Sequence, residues 1–185
     1  RWLEDENSPE TQQWIAQQNT LTQNCLQSTG YQKPLADQLT QYFNYPKYSA
    51  PRKQGDYYYF YKNDGLQNHS ILYRQKGLNG TPEVFLDPNT FSKDGSIALT
   101  TTSFSKDKKY MVYGTSVGGS DWQTFQLLEV SSGKVLPDTL QNIKFSGASW
   151  YKNGFFYTRF DKPDEGKELS AKNEAARVYY HKIGT

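Results

Sequence analysis

Three kinds of side chain in this 185-residue chain call for inspection as nucleophile or base. Gly118-Gly119-Ser120 sets a hydroxyl in a glycine-rich turn. His69 and His181 could act as bases, and Cys25 could supply a thiol. Acyl transfer by serine needs a strained elbow between a strand and a helix, with glycine two residues after the nucleophile. Here that position is Trp122, and Ser120 is expected in a hairpin between two β runs. Ser120 is therefore not read as a nucleophile. The two histidines fall in strand-like runs and are read as ordinary strand residues. Cys25 sits between Asn24 and Leu26, with no neighbouring charge to activate it, and reads as a small apolar or surface residue. There is no His-x-x-x-His pair, no paired-cysteine spacing and no glycine-rich phosphate loop, so neither a metal nor a cofactor is expected.

The elements that would carry these residues are set by an unusual composition. Hydrophobic residues make up only 35%, yet aromatics reach 16%, with 15 tyrosines. A chain of this length can bury about 70% of its unfolded surface, so aromatic rings must build much of the core. Net charge is +2 and the charges are interspersed, which argues against nucleic acid and against a membrane surface. The single cysteine excludes an internal disulfide and fits a reducing compartment. The chain begins at Arg1 without an initiator methionine, so a missing leader carries little weight. A cytoplasmic location is expected, with the periplasm as the alternative.

Two helices are predicted first. Ser8-Pro9-Glu10 is a start signal: a capping hydroxyl, proline at the first helical position and an acidic side chain near the positive end of the dipole. This helix runs through Trp14, Ile15 and Asn19. A second begins near Pro34, with Leu35, Leu39 and Tyr42 or Phe43 on one face, and stops before Tyr45-Pro46. The expected division is a helical arm over 1–44 and a β domain over 45–185.

Beyond Tyr48 the helical period disappears. Asp56 to Tyr73 reads as a hairpin with a long connection, an aromatic strand at Tyr57–Tyr61 and Gly65 in the turn. Strand-like runs follow at Glu83–Leu86, Ser96–Phe104, Lys109–Ser116, Trp122–Val130, Lys134–Val135, Ala148–Tyr151, Phe155–Phe160 and Arg177–Lys182. Asp94-Gly95, Gly118-Gly119, Ser132-Gly133 and Asn153-Gly154 supply turns. Lys162–Arg177 reads as a solvated loop. The pattern also repeats: Phe104 and Trp150, each followed by a turn and an aromatic strand, stand 46 residues apart. A period in the forties, with four strands per unit, suits a β-propeller blade. The spacing predicts about two and a half to three blades, an incomplete ring.

The wording of these runs resembles one family. Arg1-Trp2-Leu3-Glu4-Asp5 followed by S-P-E-T-x-x-W-I resembles the N-terminal arm of prolyl oligopeptidases. Tyr45-Pro46-Lys47-Tyr48-Ser49, Tyr59-Phe60-Tyr61, Gly65-Leu66-Gln67-Asn68, Phe85-Leu86-Asp87-Pro88-Asn89, the Ser92–Leu99 and Phe104–Tyr110 runs, Gly119-Ser120-Asp121-Trp122, Leu136-Pro137-Asp138, Lys144–Trp150 and Val178–Thr185 resemble its propeller strands in register. The match covers essentially the whole chain. Its one visible departure is a shortened turn at Lys152-Asn153-Gly154.

The resemblance implies a mainly β chain: the first blades of a seven-bladed propeller, preceded by an arm that packs on an α/β-hydrolase domain. It implies a serine peptidase that cuts short peptides after proline, with the catalytic Ser, Asp and His in downstream sequence. It implies no cofactor, proline-containing peptides and the remaining domains as partners, and a monomer. Two positions carry over. Phe145 would line the pocket for the substrate residue two places before the proline, or else be a core aromatic. Asp121 would face the peptidase domain as partner of a substrate-binding arginine, or else be a turn former. The competing reading is an autonomous, non-catalytic propeller-like module that binds a peptide or protein. The chain would then be the N-terminal part of a longer enzyme or a self-sufficient binder.

Overall fold

The computed structural model describes residues 2–5, 7–164, 172 and 174–185. Two compact units emerge, Arg1–Tyr45 with Pro163–Lys172, and Pro46–Lys162 with Asn173–Thr185.

In the first unit a 3-10 turn, Trp2–Glu4, precedes α1, Pro9–Ser28. The start signal works as expected. The Ser8 hydroxyl accepts the Thr11 amide at 3.2 Å, and Pro9 stands where a missing N–H costs nothing. Thr11 donates its hydroxyl to the Trp2 carbonyl at 3.0 Å, and the Trp2 and Trp14 rings meet edge to face. α2, Gln32–Phe43, begins two residues before the predicted Pro34. Proline is tolerated there because first-turn amides lack an intrahelical acceptor anyway. Leu35, Leu39, Tyr42 and Phe43 are exposed.

The second unit is antiparallel β throughout. β1 (Lys47–Tyr48) and β2 (Arg52–Gln54) both pair with β3 (Tyr57–Asn63), which pairs with β4 (Ile71–Lys76), then β5 (Glu83–Leu86). This is the first blade. The second runs β6 (Ile97–Phe104), β7 (Tyr110–Val117), β8 (Gln123–Glu129), β9 (Val135–Ile143). The third holds β10 (Ser149–Tyr151), β11 (Gly154–Arg159) and β12 (Arg177–Lys182). Among the described residues a single pairing, Arg159 with Ile143, joins its sheet to the second blade's. The expected fold class holds: mainly β, an incomplete propeller of about three blades behind two helices. Half of the solvated loop expected over Lys162–Arg177 lies outside the described residues.

Period-two alternation explains how the blades stack. On β7, Met111 and Tyr113 point into a core shared with the first blade, with Tyr59, Leu72, Leu128 and Val130. Val112, between them, points the other way, into a core with Phe125, Leu127, Ile143, Phe155 and Tyr157. Each fully buried side chain of this size contributes about 1.5–3 kcal/mol. The second blade thus buries both faces.

Hydrogen bonds lock the same seams. Trp150 donates its indole N–H to the Ser103 carbonyl at 3.1 Å, and Ser103 donates to the Ala148 carbonyl at 2.9 Å. The two repeat anchors, Phe104 and Trp150, therefore sit on strands that face each other across neighbouring blades. On the other seam the Arg74 guanidinium lies 4.9 Å from both the Tyr57 and Phe85 rings, pairs with Glu83 at 2.6 Å and donates to the Val130 carbonyl. Between β9 and β12, the buried His181 Nε2 meets Asp138 Oδ1 at 2.7 Å, and that oxygen also accepts the Gly184 amide at 2.7 Å.

Turn chemistry repeats as well. Asp94 and Asp107 each follow a serine by two residues. Each accepts an amide two residues on, from Ser96 at 3.0 Å and Lys109 at 3.2 Å. Ser92 and Ser105 each accept the amide five residues ahead, from Ile97 and Tyr110. The Ser96 amide, then the hydroxyls of Ser96 and Ser92, hold the Asp94 carboxyl down at about 2.

Three expectations shift. β9 spans nine residues where only Lys134–Val135 is predicted. Pro137 interrupts the strand pattern in sequence, but β8 to β9 pairing skips it: Val135 faces Leu128 and Thr139 faces Gln126. His69 lies just before β4 rather than in it, and its Nε2 meets the Gly95 carbonyl at 2.8 Å. In the Asn153-Gly154 turn it is Lys152 that takes positive φ, at 51°. Gly154 is needed for a different reason: a Cβ there would collide with the His181 carbonyl oxygen.

Asp138→Ala is expected to lower unfolding free energy by about 1–3 kcal/mol, since the buried His181 ring and the Gly184 amide lose their shared acceptor. A chemical denaturation midpoint unchanged from wild type would contradict this. Because the folded Asp94 titrates below its unfolded value, its contribution is complete above about pH 4 and is lost as pH falls through about 2. Asp94→Asn should flatten the acid limb of a stability–pH curve in that window and leave its slope near neutrality unchanged.

Candidate functional site

Three of the residues singled out from sequence, Ser120, Asp121 and Phe145, lie on two turns at one corner of the second unit. Val117 closes β7, and the turn after it carries Gly118 and Gly119 at φ 59° and 75°. Ser120 donates its amide to the Val117 carbonyl at 3.0 Å, and its hydroxyl accepts the Trp122 amide at 3.1 Å. That hydroxyl is a turn acceptor, as the missing elbow implies. Asp121 follows, exposed, and Trp122 leads into β8. The Trp122 ring sits edge-on to Phe160 at 6.1 Å.

The second half of the corner ends β9. Asn142 and Phe145 both have left-handed backbones, φ 60° and 53°. An aromatic residue adopts that conformation only when its surroundings hold it there, at a cost of order 1–3 kcal/mol. The restraints are visible. Ile143, between the two, is fully buried. The Asn142 carbonyl accepts the Phe160 amide at 3.0 Å, and the Ser146 hydroxyl accepts the Thr158 amide at 2.8 Å. The corner is thus tied on both sides to the β11 segment.

What it presents is an aromatic ring: Phe145 is 70% exposed and lies outside both buried clusters of the described residues. Beside it, Lys144 is only 8% exposed. Its ammonium lies 4.7 Å from the centre of the Trp122 ring and 5.5 Å from that of Phe145. The Asp121-Trp122 turn and the Lys144-Phe145 corner are thereby one site, joined through a buried cation. It can offer an apolar wall, a carboxylate and no nucleophile.

The other chemically suggestive residues are elsewhere. A cavity of about 640 Å³ lies between the first two blades, with Arg52, Gln54, Thr100 and Thr102 among its lining, and shares no residue with the Phe145 corner. His181 is spent on Asp138, and Cys25 is exposed on α1. Among the described residues no group of three His, Cys, Asp or Glu side chains is placed to hold a metal. Lys144 was missed in sequence. A lysine before a phenylalanine carries no signal that its ammonium will be buried against a tryptophan 22 positions earlier.

Known proteins match this arrangement from end to end. The family model for the prolyl oligopeptidase N-terminal beta-propeller domain matches residues 1–185. The prolyl endopeptidase of Elizabethkingia meningoseptica is 46% identical over the whole chain, and prolyl oligopeptidase A of Amanita bisporigera 36%. The chain spans 26% of the former's length and 28% of the latter's. A structure from a study of two prolyl endopeptidases and their inter-domain dynamics superposes with a TM-score of 0.89 at 28% identity, covering all of this chain and 28% of that one. A mutant prolyl oligopeptidase B from Galerina marginata, bound to a 35mer hydrolysis and macrocyclization substrate, gives 0.84 at 32% identity, covering 100% of this chain and 29% of that one. The chain belongs to the prolyl oligopeptidase family, as its N-terminal helices and the first blades of its β-propeller.

Proposed function

We propose that this chain is the gating and substrate-reading part of a proline-specific serine peptidase, one that hydrolyses short peptides on the carboxyl side of proline. The observation that carries the reading is Phe145: an exposed aromatic ring held in a left-handed backbone by a corner tied down on both sides. A fold spends conformational energy on exposing an apolar ring when the ring has something to bind. Phe145 would form the wall against the substrate residue two places before the proline. Asp121, exposed in the neighbouring turn, would pair with a substrate-binding arginine of the peptidase domain.

The remainder of the reading follows from chemistry. The nucleophile, base and acid of acyl transfer would lie in an α/β-hydrolase domain downstream; in this chain the Ser120 and His181 side chains are both engaged in structural hydrogen bonds. The apolar face of α2, with Leu35, Leu39 and Phe43 exposed, would pack on that domain. The remaining blades would complete a seven-bladed ring that restricts entry to short peptides. The protein would work as a monomer. The named relatives are peptidases, which leaves the autonomous binding module without support.

At its full natural length the protein should cleave Gly-Pro amides and lose that activity to a serine-directed phosphonylating reagent; cleavage that survives the reagent would contradict the assignment. Phe145→Ala should raise KM about tenfold, about 1.4 kcal/mol, for a Phe-Gly-Pro amide while kcat stays within twofold. An unchanged KM with a reduced kcat would remove Phe145 from the pocket.

A further inference from the structure

The Phe145 ring is mostly in solvent, so core packing does not set its orientation. The Lys144 ammonium lies 5.5 Å from the Phe145 ring centre and 4.7 Å from that of Trp122. Trp122 is in turn set against Phe160, itself only 9% exposed. The series Phe160, Trp122, Lys144, Phe145 runs from the core outward. A lysine seldom gives up nearly all its hydration, and here it does so at a position next to the exposed ring. The attraction of an ammonium to a ring face grows as water is excluded. Lys144 is therefore in a place to hold the ring at a fixed angle before any ligand arrives.

We infer that Lys144 is a positioning residue: held over the Trp122 indole, its ammonium fixes the Phe145 ring as a preformed wall for the peptide side chain two places before the proline. This rests on the reading of Phe145 given above. Lys144 touches Phe145, not the reacting atoms, so it acts on binding of extended peptides and not on bond cleavage. Preorganisation of this kind lowers the cost of ordering the ring on binding.

The test uses the full-length protein with two substrates, a Gly-Pro amide that does not reach Phe145 and a Phe-Gly-Pro amide that does. Lys144→Met keeps the apolar stem and removes the cation. Lys144→Gln keeps a polar end without charge and stands in if the methionine variant folds poorly. Lys144→Arg restores a cation. The expected result is a three- to tenfold rise in KM for Phe-Gly-Pro amide in Met or Gln, with kcat for both substrates and KM for Gly-Pro amide within twofold. Arginine should recover the loss to within twofold of wild type. In a Phe145→Ala background, Lys144→Met should add nothing further. Equal losses on both substrates, failure of arginine to rescue, or a full effect of Lys144→Met without the Phe145 ring would each overturn the proposal and leave Lys144 a structural residue. Phe145→Ala separates the two claims. If it does not discriminate between the substrates, the pocket reading itself falls. If it does while Lys144→Met does not, only the positioning role falls.

Discussion

A propeller blade has two apolar faces and cannot bury either by itself. That constraint governs most of what is seen in this chain. On β7 the second blade divides its side chains by strand parity, Met111 and Tyr113 to one neighbour, Val112 to the other. Several of the polar groups that such stacking traps are paired across the seams: the Trp150 indole with Ser103, Arg74 with the Val130 carbonyl, His181 with Asp138. A buried donor without an acceptor would cost about as much as one buried side chain contributes. The seams are therefore where the aromatic composition and the polar pairs are both explained. Fifteen tyrosines can serve as core because their rings fill the seams and their hydroxyls can reach an edge, as Tyr61 does to Thr102 at 3.3 Å.

The same seams position the functional corner. Ile143 is buried between the second and third blades, and among the described residues the one strand pairing that links the two blades falls on it. Two residues further on, the chain turns with a left-handed Phe145 and is caught again by Ser146 on Thr158. The backbone that carries the exposed ring is anchored to the stacking beneath it. The Asp121-Trp122 turn reaches the same place from β8, and the Lys144 ammonium closes the space between. An exposed ring and an exposed carboxylate thus sit on two turns linked through Lys144 and Trp122.

Much of this was legible from sequence because local chemistry and global fold agree. Ser8-Pro9 caps a helix, Ser-Lys-Asp makes the same turn twice, and the 46-residue spacing marks strands that do lie side by side. β9 was read too short because Pro137 and Asp138 look like loop residues; one falls where the ladder needs no amide, the other is consumed by His181. That pair is 43 positions apart and has no local signature. The left-handed backbone of Phe145 is likewise invisible, since glycine or asparagine is the usual marker of positive φ. The burial of Lys144 depends on Trp122, which only the folded chain brings near. Local turn and strand chemistry could be read; pairing across seams could not.

The most direct measurement is fluorine NMR of the full-length protein with 4-fluorophenylalanine at position 145 and its catalytic serine blocked. The account predicts one narrow resonance in the free protein, shifted on titration with a Phe-Gly-Pro peptide and unmoved by Gly-Pro. A resonance that ignores a saturating Phe-Gly-Pro peptide would contradict the claim that this ring reads the substrate.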